Sequence, residues 1–111
     1  MENIEKQSDN LLKIRGEQDG EGAASNKAYV KKLASAILTV LDKFDDVRLK
    51  AVGASSVNNA VKSFIIAKNM SKRRNKLKNI ELVLTADFDV AKFDQSEKTA
   101  IMFTVFAEEV E

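Results

Sequence analysis

The sequence predicts a two-layer α/β (α+β) sandwich, in which two helices cover one face of a mixed four-stranded sheet in the order βαβαββ. Three observations support this prediction. Two segments repeat apolar residues at three- and four-residue spacing, four segments alternate apolar and polar residues, and 111 residues suit a single domain. Residues 1–10 are polar and are predicted to be a flexible N-terminal segment, which leaves 11–111 as the domain.

The first strand is predicted in the run LLKIRG, 11–16. Leu12 and Ile14 alternate there with Lys13 and Arg15, which is the period of a strand with one buried face. The next stretch, EQDGEGAAS, contains two glycines and no large apolar residue, so it is predicted to be a loop.

The first helix is predicted to begin at a cap on Ser25 or Asn26 and to end near Phe44. Its apolar stripe comprises Val30, Leu33, Ala34, Ile37, Leu38, Leu41 and Phe44. The run DDVRLKAVG then alternates as a second strand. A strand, a helix of this length and another strand predict a crossover with two parallel strands and the helix on one face.

The second helix is predicted to follow Gly53, with Ser55 or Ser56 as its cap, and to reach Met70 or beyond. Its predicted inner stripe is Val57, Ala60, Val61 and Phe64. Residues 64–67 are four consecutive apolar residues, which go nearly all the way round a helix. The surplus apolar surface indicates either contact with another subunit or a covering loop.

The last two strands are predicted to form a hairpin. NIELVLTADFDV alternates cleanly, with the row from Ile80 to Val90 on one side, and KTAIMFTVFAEEV alternates in the same way. The intervening AKFDQSE is the predicted loop.

The amino-acid composition excludes several kinds of functional site. The chain has no cysteine and no histidine, so it cannot build a disulfide framework, a Cys/His zinc site, a thiol nucleophile or a histidine general base. The densest carboxylates, in DKFDD, are explained by a helix-to-strand turn; the alternative, a magnesium site or an acid/base pair, has no supporting groups. We therefore expect no enzyme activity, no cofactor and no metal. Without an apolar run of about 20 residues or a signal-peptide pattern, we expect a cytoplasmic protein with no membrane partner.

The charges are segregated along the chain. Although the net charge is only +1, nine bases and no acid lie between Asp46 and Glu81: Arg48, Lys50, Lys62, Lys68, Lys72, Arg73, Arg74, Lys76 and Lys78. The cluster SKRRNKLK is the best candidate for phosphate contact. The alternative is a solvated basic helix end, which the helix dipole favours for purely local reasons.

The turn around Gly53 has two interpretations. Glycine allows a tight strand exit and a serine caps the helix, or the same N–H groups, with Ser55, Ser56 and Asn58, meet a phosphate. A second surface is predicted on the open sheet face, where Lys13 and Arg15 would lie beside Arg48 and Lys50, with Met102, Phe106 and Val83 available to stack on bases. Snorkelling lysines on an open face are the alternative.

The run AVGASSVNNAVKSFIIAK, with the later SEKTAI, resembles the stage V sporulation protein S family. That family is similar in turn to the Alba chromatin proteins, whose βαβαββ fold agrees with the order above. The resemblance implies an Alba-like, dimeric or oligomeric nucleic-acid-binding module without catalytic chemistry. The sequence departs from the Alba pattern in the loop before the first helix, which is mostly acidic with only Lys27 nearby.

These arguments predict a small cytoplasmic DNA- or RNA-binding protein, a homodimer or higher homo-oligomer, that engages phosphates electrostatically. The predicted contact residues are Lys27, Arg48, Lys50, Gly53, Ser55, Ser56, Asn58, Lys62, Lys68, Lys72, Arg73, Arg74 and Lys76. The alternative is an assembly or adaptor protein that binds protein through the apolar surface of residues 64–67.

Overall fold

The computed structural model describes residues 6–8, 10–18, 20, 22–74 and 79–110. Along the chain the elements are β1 (Lys6–Ser8), β2 (Leu11–Ile14), α1 (Gly22–Leu41), β3 (Asp46–Ala51), α2 (Ala54–Arg74), β4 (Ile80–Phe93) and β5 (Ser96–Glu109). The strands form one sheet in the order β1-β2-β3-β5-β4. The predicted βαβαββ sandwich is confirmed. The short strand β1, which sequence analysis had assigned to the flexible N-terminal segment, is added at one edge.

The sheet is mixed, as predicted. β2 and β3 are parallel, with Lys13 opposite Lys50, whereas β5 is antiparallel to both β3 and β4. The parallel pair follows from the crossover through α1, because the chain must return to the same end of the sheet before it can start β3. The two helices pack side by side on one face, and the other face is left without a helix.

The core lies between the helices and the sheet. Leu12, Val47 and Leu49 on the strands and Leu33 and Ile37 on α1 have less than 2 % of their surface exposed. These residues occupy the predicted inward positions of each element. The alternation on the strands and the stripe on α1 therefore position the layers as expected.

The helix boundaries differ from the sequence prediction. α1 begins at Gly22 and ends at Leu41, so Phe44 lies beyond it and is 37 % exposed. α2 begins at Ala54, directly after Gly53, whose φ of +88° is a left-handed conformation that glycine adopts without strain. The predicted caps at Ser25 or Asn26 and at Ser55 or Ser56 are therefore wrong, because each lies inside its helix.

The inner face of α2 keeps three of the four predicted residues, because Ala60 lies in the core and Val57 and Phe64 pack against it, but it also carries buried polar side chains. Its buried residues are Ser56, Asn59, Ala60, Ser63, Ala67 and Ser71. Small side chains let α2 approach its neighbours closely, and the Ser63 hydroxyl donates to the Ala60 carbonyl oxygen at 2.8 Å, so its polar group is satisfied inside. Val61, predicted to point inward, is 37 % exposed.

The hairpin is longer than predicted. β4 and β5 pair along their full 14 residues, and the turn is only Asp94–Gln95. Of the predicted loop, Ala91, Lys92 and Phe93 belong to β4, and Ser96 and Glu97 belong to β5. β3 pairs with β5 only from Asp46 to Ala51, opposite 101–106. We call the outer half of the hairpin, residues 86–101, the arm.

Candidate nucleic-acid interface

The exposed side of α2 is a basic surface. Over its 21 residues α2 carries five bases and no acid. Lys62 and Arg73 lie on nearly the same side, since eleven residues make about three turns, and both are exposed. Lys68 and Lys72 lie toward β4, the strand at the sheet edge. The helix therefore presents its cations along most of its length.

Glu81 on β4 partners two of these lysines. Its carboxylate is 3.0 Å from Lys68 Nζ and 3.9 Å from Lys72 Nζ. The hydrogen bond from Lys68, followed by the charges of Lys68 and Lys72, lowers the pKa of Glu81 below its ordinary value. Two of the predicted phosphate contacts are thus engaged by a carboxylate that the sequence places after the basic segment.

A third cation of α2 is paired near the end of α1. Arg74 Nη2 lies 3.7 Å from Asp42 Oδ2, with both side chains more than half exposed. Exposed ion pairs of this kind are each worth about 0–1 kcal/mol, so such a cation can exchange its carboxylate for a phosphate at little cost. Lys62 and Arg73 take part in none of the ion pairs among the described residues.

The first turn of α2, directly after Gly53, is in contact with residues 15–17 of the same chain. The hydroxyl of Ser55 accepts a hydrogen bond from the backbone N–H of Glu17 at 2.7 Å. A Cβ added to Gly16 would lie 2.8 Å from Ser55 Cβ and 3.2 Å from the backbone nitrogen of Ser56, so residues 15–17 lie directly against the first turn of α2. This contact supports the structural interpretation of the turn. Asn58, by contrast, is exposed.

Arg48 and Lys50 lie on the sheet face opposite the helices. Lys50 Nζ donates to the Val90 carbonyl oxygen at 2.9 Å and lies 3.3 Å from Asp89 Oδ2. The backbone N–H of Val90, and then Lys50, lower the pKa of Asp89. The predicted bases are therefore divided between two faces of the molecule, and Lys50 holds the base of the arm.

The predicted grouping on the open face is only partly present. Lys50 lies opposite both Lys13 and Met102, and Phe106 lies opposite both Asp46 and Val83, so these residues share that face. Arg15 does not join them. Its guanidinium stacks on the ring of Tyr29 in α1, 4.1 Å from the centroid, and its backbone N–H donates to the Tyr29 hydroxyl.

The structure does bring Lys27 and Lys62 together, at a groove between the two helices. The groove has a volume of about 470 Å³ and is lined by Glu17, Ala23, Asn26, Lys27, Val30, Lys62, Ile65 and Ile66. Its floor is mainly aliphatic, with the two lysines among the lining side chains. We call it the interhelix groove.

An amide cluster beneath this groove was missed by sequence reasoning. Asn59, 1 % exposed, exchanges two hydrogen bonds with the side chain of Asn26, at 2.9 and 3.1 Å, and donates another to the Arg15 carbonyl oxygen at 2.9 Å. The sequence feature that could have identified Asn59 as buried is its position among the small residues on one side of α2, Ser56, Ala60, Ser63 and Ala67.

The described residues lack two features that other classes of function require. They contain no group of three or more Asp and Glu side chains placed to hold a metal ion. Across the same ranges, no helix is long and apolar enough to cross a membrane. Lys76, one of the predicted contacts, lies outside the described residues.

Comparison with known protein families gives a match to this sequence. The family model for stage V sporulation protein S matches residues 23–108, which include α1 from its second residue, all of β3, α2 and β4, and β5 up to Glu108. No curated protein matches the sequence.

Proposed function

The chain belongs to the stage V sporulation protein S family, and from this premise we propose that it is a small nucleic-acid-binding protein. Membership of the family supports a regulatory role similar to that of stage V sporulation protein S. The finer proposal is that the protein binds DNA or RNA through the phosphate backbone, in the cytoplasm, as a regulator or architectural factor. We propose no catalytic step and no cofactor.

One observation carries the proposal: α2 is a surface helix with five bases and no acid, on which Lys62 and Arg73 face solvent without a carboxylate partner among the described residues. A polyanion that lies along the helix would meet both cations. Lys68, Lys72 and Arg74 flank them, and their weak ion pairs exchange for phosphates at little cost.

The binding would be driven by counterion release. Each lysine or arginine that neutralises a phosphate displaces condensed cations from the nucleic acid, so the affinity falls steeply as salt is added. Lysine and arginine contacts to phosphates carry no base information by themselves. We therefore expect little sequence preference.

The test is a salt titration of binding to a generic duplex and to a single-stranded RNA. We expect Lys62→Glu combined with Arg73→Glu to abolish binding at moderate salt. Replacing Lys62 alone or Arg73 alone by a neutral glutamine should reduce the slope of log affinity against log salt by about one. Lys32→Glu is the matched control. It has the same charge change on an exposed α1 position, on the side of that helix away from the interhelix groove.

The competing proposal is an assembly or adaptor protein, favoured by the exposure of Ile65 at 49 % and of Val61 beside it. The same titration separates the two. Failure of the unmodified protein to bind any nucleic acid at low salt would contradict the nucleic-acid proposal and favour the adaptor. Equal loss of binding in the Lys32→Glu control would show a response to net charge alone. We propose homodimers or larger homo-oligomers in either case.

A further inference from the structure

The arm exposes an aromatic side chain that the described chain leaves uncovered. Phe88 is 83 % exposed and Val90, on the same face of β4, is 46 % exposed. They continue the row of Leu82 and Leu84, which pack against the core further along the strand. An apolar row that starts in the core and ends in solvent is a typical site of protein contact.

The other face of the arm is held in place by the chain itself. Lys50 on β3 binds the carbonyl oxygen of Val90 and lies 3.3 Å from the Asp89 carboxylate. Phe88 therefore stands on an anchored two-stranded ribbon, with little conformational freedom to lose on binding.

The interhelix groove supplies a second uncovered apolar surface. Ile65 and Ile66 line it from α2 and Val30 lines it from α1, and Val61 extends the patch one turn along α2. At about 470 Å³ the groove has room for an aromatic side chain.

The two surfaces are complementary in charge. On the face of Phe88 and at its tip the arm carries Glu97, Asp94 and Lys92, whereas the groove is lined by two lysines and one glutamate; Asp87 and Asp89 lie on the opposite face of the arm. Opposite signs around two apolar patches of one sequence favour contact between copies. Such a contact would bury Phe88 as a central aromatic anchor with a charged rim.

We propose that the arm of one copy docks on the interhelix groove of a second copy, with Phe88 inserted between α1 and α2. The inference deepens the self-association proposed above, and it does not require nucleic-acid binding. An arm and a groove on every copy allow either a closed dimer with two equivalent contacts or a longer chain of copies.

The test is sedimentation velocity of the full chain over a range of concentrations. We expect the unmodified protein to self-associate, and Phe88→Ser and Ile65→Glu each to weaken association by about tenfold or more. Phe93→Ser is the matched control, since it removes a phenylalanine from the opposite face of the same arm and should leave association unchanged. Circular dichroism confirms that each variant is folded.

Mixing the two defective variants gives the sharper readout. The Phe88→Ser chain retains an intact groove and the Ile65→Glu chain retains an intact arm, so the mixture should associate where neither does alone. A monomeric unmodified protein would overturn the proposal. So would association that survives Ile65→Glu, which indicates edge-to-edge pairing of β4, or association that survives Phe88→Ser, which indicates helix-to-helix packing.

Salt-dependent RNA and duplex binding, measured on the Phe88→Ser chain, tests the nucleic-acid proposal independently.

Discussion

At the residue scale, the buried amide of Asn59 joins three segments that are distant in sequence. Its Nδ2 group uses both hydrogens, one on the Arg15 carbonyl oxygen and one on Asn26 Oδ1, and its Oδ1 accepts from Asn26. Buried polar groups are costly unless they are satisfied, and these are. The cluster thus fixes the end of β2 against the first turns of α1 and α2, which form the interhelix groove.

Replacing Asn59 by Ala should therefore destabilise the fold. Because the Asn26 amide and the Arg15 carbonyl would lose their partners in a buried site, we expect a loss of about 2 kcal/mol in the free energy of unfolding. Urea denaturation measures it. The neighbouring Asn58→Ala changes an exposed amide of the same kind and should cost no more than about 0.5 kcal/mol. Equal effects of the two substitutions would contradict the role assigned to the cluster.

At the scale of elements, Lys50 connects β3 to the arm and Glu81 connects β4 to α2. Both contacts join a cation that the sequence analysis assigned to phosphate binding with an acid on β4. β4 is the edge strand of the sheet: its Glu81 reaches α2, and Lys50 on β3 reaches across β5 to its Asp89. The hairpin therefore moderates the positive charge on both faces.

Loss of the Lys50 contacts should loosen the arm. In Lys50→Met the Val90 carbonyl oxygen and the Asp89 carboxylate lose their cation, so the backbone amides of 96–100 should exchange faster with deuterated solvent. Exchange measured by mass spectrometry tests this. Lys13→Met is the matched control, because Lys13 lies opposite Lys50 in the register and is exposed. Unchanged exchange in Lys50→Met would show that strand pairing alone holds the arm.

Neutralising Glu81 should strengthen nucleic-acid binding. In Glu81→Gln, Lys68 and Lys72 are released from their carboxylate, and we expect affinity to rise a few-fold with a steeper dependence on salt. Glu108→Gln is the matched control, since Glu108 faces Glu81 across the β4–β5 pair and makes none of the ion pairs among the described residues. An equal gain in both variants would indicate a net-charge effect.

Because of the contact between Glu81 and Lys68, the folded state is less stable at acidic pH than at neutral pH. The folded state lowers the pKa of Glu81, so its stabilising contribution is complete above the pKa of the unfolded chain and is lost as pH falls through the folded value. Denaturation midpoints measured from neutral to acidic pH should therefore fall less steeply for Glu81→Gln than for the unmodified protein. A steeper fall in the variant would contradict the pairing with Lys68.

At the scale of the whole molecule, the proposed functions use different surfaces. The phosphate-binding side of α2 centres on Lys62 and Arg73, whereas the proposed contact between copies uses the arm and the interhelix groove. Only Lys62 lies at both. Self-association would bring several basic helices into one particle, which raises the effective concentration of cations along a nucleic acid.

The two activities should therefore separate. We expect Arg73→Glu to weaken nucleic-acid binding while self-association is unchanged, and Phe88→Ser to weaken self-association while each copy retains its salt-dependent binding, now less cooperative. Fluorescence anisotropy with a labelled duplex, alongside sedimentation, measures both. Loss of both activities in Arg73→Glu would contradict the assignment of separate surfaces.

The sequence by itself determined the architecture. Alternation in four segments and apolar repeats in two were enough for the βαβαββ order, the parallel pair and the two layers, because these patterns report which side of each element avoids water. The motif from Ala51 to Lys68 also indicated the family. The burial of the serines and of Asn59 on α2 could not be predicted in this way, because a small polar side chain does not contribute to an apolar pattern.

The tertiary structure alone decided which cations are available. Lys50, Lys68, Lys72 and Arg74 meet carboxylates that belong to other elements, and only the packing of β4 and α1 against α2 and β3 brings them within reach. Likewise, exposure of Phe88 depends on where the helices end over the sheet. A local pattern cannot contain these distances, because ion pairing and burial depend on the positions of segments far apart in the chain.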